Sequence, residues 1–136
     1  MEVLVFGLGT KEQFAVDVLS VREIMPIGKL TRIPGASQQV SGCMNVRGQT
    51  VPVMDLCKAL LKEPNERTSS MVIILDRQEH FALAVSSVDR IMKLNQDQLD
   101  SLQKVTSGGL IEGVINDPDG MVQMLDPERI IAKAVA

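Results

Sequence analysis

Two stretches of this 136-residue chain are near copies of one another, so any fold it adopts has to be built twice. At an offset of 67, residues 4–25 and 71–92 agree at Val5/Val72, Leu8/Leu75, Glu12/Glu79, Phe14/Phe81, Ala15/Ala82, Val18/Val85, Ser20/Ser87, Val21/Val88, Ile24/Ile91 and Met25/Met92. Further along the offset is 71: Val40-Ser-Gly-Cys-Met-Asn45 matches Ile111-Glu-Gly-Val-Ile-Asn116, Val51 matches Val122, and Asp55 matches Asp126. Two copies indicate a duplicated unit rather than an open solenoid, which needs at least three repeats to bury its faces. The units run over about 1–68 and 69–136 of a single domain, with the chain free to cross between the structures they form.

Within each unit the period is that of strands. Val3 and Val5, then Phe14, Val16 and Val18, alternate with smaller or polar neighbours, and Gly9-Thr10-Lys11-Glu12 supplies a turn between them. The second copy repeats the hairpin as Met71–Leu75 and Phe81–Val85. A further pair, Gly42–Val46 and Thr50–Met54 around Arg47-Gly48-Gln49, has its echo in Leu110–Ile115 and Met121–Leu125 around Asn116–Gly120. Each unit then closes on a short helix, capped by Asp55 before Leu56–Leu61 and by Asp126 before Pro127. Val and Ile supply 26 residues against only 2% aromatics, a balance that favours sheet. Short antiparallel strands separated by turn residues point to small barrels or a sandwich, and because closure also removes exposed strand edges, two small β-barrels packed on a common core are the expected architecture.

Composition excludes several function classes. A net charge of −3 without a Lys/Arg cluster lacks the cationic footprint for nucleic acid or anionic lipid, and the absence of Trp and Tyr removes stacking platforms. No apolar run approaches the ~20 residues that span a bilayer, and the chain starts with an acid where a signal peptide places positive charge. It reads as cytoplasmic. Cys43 and Cys57 stand singly in apolar stretches, as reduced core thiols do. His80 is the only histidine, so neither a catalytic triad nor a multi-histidine metal site can be assembled. Gly7-Leu8-Gly9 and Gly108-Gly109 lack the rest of a phosphate loop and read as turns. The methionines, among them Met25, Met44, Met54, Met71, Met92, Met121 and Met124, read mainly as core filling, with room for a few to line an adaptable binding surface. No cofactor or metal is expected, and no enzymatic activity.

Positions where the two copies differ carry more information than those they share. Arg47 ends a strand where the second copy has Pro118, and Glu23 is replaced by Arg90. A buried or half-buried pair between Glu23 and Arg47 is expected, the planar guanidinium fork matching two carboxylate oxygens. The alternative is two solvated charges whose pairing is worth only about 0–1 kcal/mol.

Four segments also resemble a known family: Leu4-Val5-Phe6-Gly7-Leu8-Gly9, Val21-Arg22-Glu23-Ile24, Leu30-Thr31-Arg32-Ile33-Pro34 and, above all, Gly42-x-x-Asn45-Val46-Arg47-Gly48-x-x-Val51-Pro52-Val53-x-Asp55-Leu56. In that order, over nearly the whole chain, they resemble the CheW-like domain of bacterial chemotaxis. The stretch Pro34–Gln39 departs from the family in being more polar. The resemblance implies two five-stranded SH3-like barrels and a non-enzymatic adaptor joining the cytoplasmic helical hairpin of a chemoreceptor to the histidine autokinase CheA. It implies receptor contacts at Val21, Glu23, Ile24, Asn45, Val46, Arg47 and Gly48, and a kinase-facing edge at Ser70 and Met71. A CheV-type coupling module, a scaffold for polar positioning, and a small-molecule-binding double barrel are the competing readings.

Overall fold

A computed structural model describes residues 1–36, 40–61, 69–104 and 109–135. The polar stretch Ser37–Gln39 and the first glycine of Gly108-Gly109 lie outside these described residues. The chain opens with β1 (Glu2–Gly7) and β2 (Gln13–Asp17), followed by β3 (Val21–Pro26), β4 (Val40–Val46), β5 (Gln49–Asp55) and α1 (Leu56–Leu61). Next come β6 (Met71–Leu75), β7 (Phe81–Val85), β8 (Ser87–Lys93), α2 (Gln96–Asp100) and β9 (Gln103–Lys104). The last elements are β10 (Ile111–Asp117), β11 (Gly120–Leu125) and α3 (Pro127–Val135).

These strands form two sheets of matching order. One, the middle barrel, runs β3-β6-β7-β5-β4, and the other, the end barrel, runs β8-β1-β2-β11-β10-β9. Neither coincides with a sequence unit. The middle barrel inserts the second copy's hairpin β6–β7 between β3 and β5 of the first, and the end barrel inserts β1–β2 between β8 and β11 of the second. All pairings are antiparallel except β5 with β7 and β2 with β11, where the exchanged hairpins meet their hosts. Each sheet closes in the same way. After β3 the chain returns so that Thr31 exchanges two 2.8 Å backbone hydrogen bonds with Cys43 of β4, and after β8 it returns as β9 on β10. The architecture is therefore mostly β, a pair of SH3-like barrels, with β9 as a two-residue sixth strand on one of them.

Three apolar clusters explain why both copies are so rich in Val and Ile. The middle barrel is filled by Met44, Val46, Val51, Val53, Val72, Ile74, Ala82 and Ala84, and the end barrel by Val3, Val5, Ala15, Leu94, Ile115, Val122 and Met124. A larger cluster lies between the barrels and includes Leu4, Phe6, Phe14, Val16, Ile73, Leu75, Phe81, Leu83 and, from α3, Ile130 and Ile131. Within it the rings of Phe6 and Phe14 stack at 6.1 Å. Alternation with polar neighbours therefore fails in β1, β2, β6 and β7: one face lines a barrel and the other packs against the second barrel, so both are apolar. Burying each such Leu, Ile or Phe contributes about 1.5–3 kcal/mol.

Local chemistry sets the boundaries. The Oδ1 of Asp55 accepts from the N–H of Lys58 at 3.2 Å, and that of Asp126 accepts from Glu128 at 2.9 Å, so both helices start where the aspartates place them. Val18 leaves the strand for a 3-10 turn over Val18–Ser20, because the Asp17 carboxylate captures the N–H of Leu19 at 3.0 Å. The β10–β11 turn is tighter than the 116–120 stretch suggests, with both strands reaching as far as Asp117 and Gly120. Met121 is not core filling, since it is 63% exposed.

Candidate interaction surface at the barrel seams

β4 and β5 are joined by the two-residue turn Arg47-Gly48, with φ of 50° at Arg47 and 84° at Gly48. Positive φ at both central positions is the type I′ geometry, whose twist matches that of the flanking strands and whose usual occupants are Asn and Gly. Asn45 supports the turn by accepting from the Gly48 N–H at 2.9 Å. Arg47 is the one non-glycine residue with positive φ among the described residues. A long side chain held in this region costs of order 1–3 kcal/mol and persists only where its surroundings hold it there.

The restraint is an ion pair. Arg47 Nη1 donates to Glu23 Oε2 of β3, and the pair bridges the seam along which the middle barrel closes. The two sides are unequally buried, Glu23 keeping 21% of its side-chain exposure and Arg47 75%. Most of the guanidinium fork is thus presented to solvent while one end is anchored, an arrangement suited to capturing a second planar oxyanion or a carbonyl.

The neighbouring residues divide. Asn45, Arg47 and Gly48 are exposed beside half-buried Glu23. Along β3 burial alternates, so Ile24, 38% exposed, lies on the opposite face of the strand from Glu23. Val46 is buried in the barrel interior and Val21 packs partly against the inter-barrel cluster, so both support the surface from beneath.

The second barrel has a seam pair too, which the alignment of the copies did not flag. Arg90 of β8 stands where Glu23 does in β3, and its Nη2 lies 3.6 Å from Asp117 Oδ2 beside the β10–β11 turn. Its Nη1 also donates to Gln13 Oε1 at 3.0 Å. The signal was present in the sequence: an arginine replacing Glu23 calls for a carboxylate near the equivalent turn, and Asn116-Asp-Pro-Asp-Gly120 supplies it one position before the residue aligned with Arg47.

The sequence profile of the CheW-like domain matches residues 2–135. This chain belongs to the CheW-like domain family. It is 30% identical over 137 residues to the probable chemotaxis protein CheW of Rhizobium etli, covering 97% of this chain and 88% of that one. It is 27% identical over 138 residues to the chemotaxis protein CheW of Bacillus subtilis, covering 97% and 87%. Among solved structures, the scaffolding protein TtCheW of Thermoanaerobacter tengcongensis superposes with a TM-score of 0.77 at 22% identity, over 93% of this chain and 84% of that one.

Ser70 and Met71 of this CheW-like chain sit apart from the seam. Ser70 accepts from the N–H of Ile27 and donates its own N–H to Val85, both at 3.0 Å, and its hydroxyl donates to the Ser86 carbonyl at 2.7 Å. The strand it leads into, β6, is flanked by β3 and β7, so the stretch is not a free sheet edge and offers side chains rather than backbone. Cys43, 6% exposed, has its thiol pushed above the ordinary value by burial, which makes it a poor nucleophile. Among the described residues no group of three or more His, Cys, Asp or Glu could hold a metal ion, and no helix is long and apolar enough to cross a membrane.

Proposed function

We propose that this CheW-like chain is a cytoplasmic chemotaxis adaptor that couples the tip of a chemoreceptor's helical hairpin to the histidine autokinase CheA and carries out no chemistry of its own. The observation that supports it most is the Glu23–Arg47 pair, in which a strained turn presents a guanidinium while Glu23 fixes its position. In this reading Glu23, Asn45, Arg47 and Gly48 meet the receptor, Ile24 extends the contact from the other face of β3, and Val21 and Val46 are the apolar support behind them. Ser70 and Met71 face the kinase through their side chains. An adaptor of this kind acts by holding two partners in one geometry, and it changes kinase output only by the difference in its affinity for the kinase's active and inactive states.

Arg47→Glu tests it. Binding of the variant to a receptor-tip fragment should fall at least tenfold, while binding to the CheA regulatory domain stays within about twofold and Tm moves by only a few degrees, as for a surface substitution. Equal loss at both partners together with a large fall in Tm would make Arg47 a residue of the fold and remove the reading.

A further inference from the structure

No further inference is drawn: the strongest candidate, the groove between the start of β5, the β6–β7 turn and α3, carries nothing, because its half-buried Arg77 already pairs with Glu128 at 3.8 Å and nothing among the described residues shows what covers its apolar wall of Pro52, Phe81 and Ile131.

Discussion

Glu23 and Arg90 hold the same place in two barrels of the same strand order, and their charges are opposite. In the middle barrel the strand supplies the anion and the turn the cation, whereas in the end barrel the strand supplies Arg90 and Asp117 the carboxylate. The burial is reversed as well: in the end barrel the turn partner Asp117 keeps only 15% of its side-chain exposure and Arg90 of the strand 38%, whereas in the middle barrel the turn partner Arg47 keeps 75% and Glu23 of the strand 21%. A partner approaching a nearly two-fold molecule meets two related surfaces, and the inverted pairs make them electrostatically distinguishable. The end barrel also lacks the strained turn, since Arg47 has its counterpart in Pro118, whose ring fixes a negative φ. What the two seams share closes the barrels, and what differs lies on the surface.

The comparison assumes that the barrels stand or fall together, and the largest effect tests that. Phe14 is 1% exposed and belongs to the cluster between the barrels. Phe14→Ala should cost about 3–5 kcal/mol, seen as a lowered denaturation midpoint with one transition reported by both barrels. Two separable transitions would mean that the barrels are independent and that their likeness carries no coupling.

A smaller effect is expected where the middle barrel closes. A Cβ on Gly42 would lie 2.9 Å from the Thr31 carbonyl oxygen, which itself accepts from Cys43. Because that oxygen is backbone and already engaged, Gly42→Ala must push the closing segment outward, at about 1–3 kcal/mol. Amide exchange at Thr31 and Cys43 should accelerate ahead of the rest of the sheet. Unchanged protection there would show that a single bridge is not what holds the seam.

Much of this was legible in sequence. The hairpins, both helix caps and the Glu23–Arg47 pair follow from strand period, turn chemistry and the comparison of copies. What was not legible has physical causes. Which barrel each hairpin enters is undetermined locally, since Val5/Val72 and Ala15/Ala82 fill the two interiors with identical residues. The choice belongs to connection length, for the three-residue turn after β2 passes directly into β3 of the other sheet. Helix α2 was missed although its signal existed, in the capping box formed by Asn95 and Gln98 and in the rise of the repeat offset from 67 to 71. The extra residues enter where Leu94, Leu99 and Leu102 plug the end barrel, a task that Ile27 and Leu30 perform in the middle one.

Reversing the middle seam sharpens the comparison of charges. Arg47→Glu sets two carboxylates against each other, and the double change Glu23→Arg with Arg47→Glu gives the middle barrel the polarity of the end one. Because Arg47 is largely exposed, the coupling recovered in the double-mutant cycle should be only about 0.2–1 kcal/mol. Receptor binding, under the proposed function, should stay lost. If binding returned with stability, the direction of the pair would carry no recognition.

The smallest expected effect concerns a buried position of β4, on the face opposite Met44 and Val46, where the two barrels differ in titratable chemistry: Cys43 against half-buried Val114. Burial holds the Cys43 thiol above its ordinary value, while in the unfolded chain it ionises near the usual value of about 8.5. Below that pH both states keep the proton and nothing depends on it. Above it the unfolded chain releases a proton that the folded one retains, so stability falls as pH rises towards and through the folded value. Cys43→Val removes that slope by giving the middle barrel the residue the end barrel already uses. Urea midpoints of the two proteins measured from pH 7 to 10 should diverge on the alkaline side, the variant declining less steeply. Parallel curves would mean that the thiol ionises alike in both states and that its site is as accessible to water as the unfolded chain.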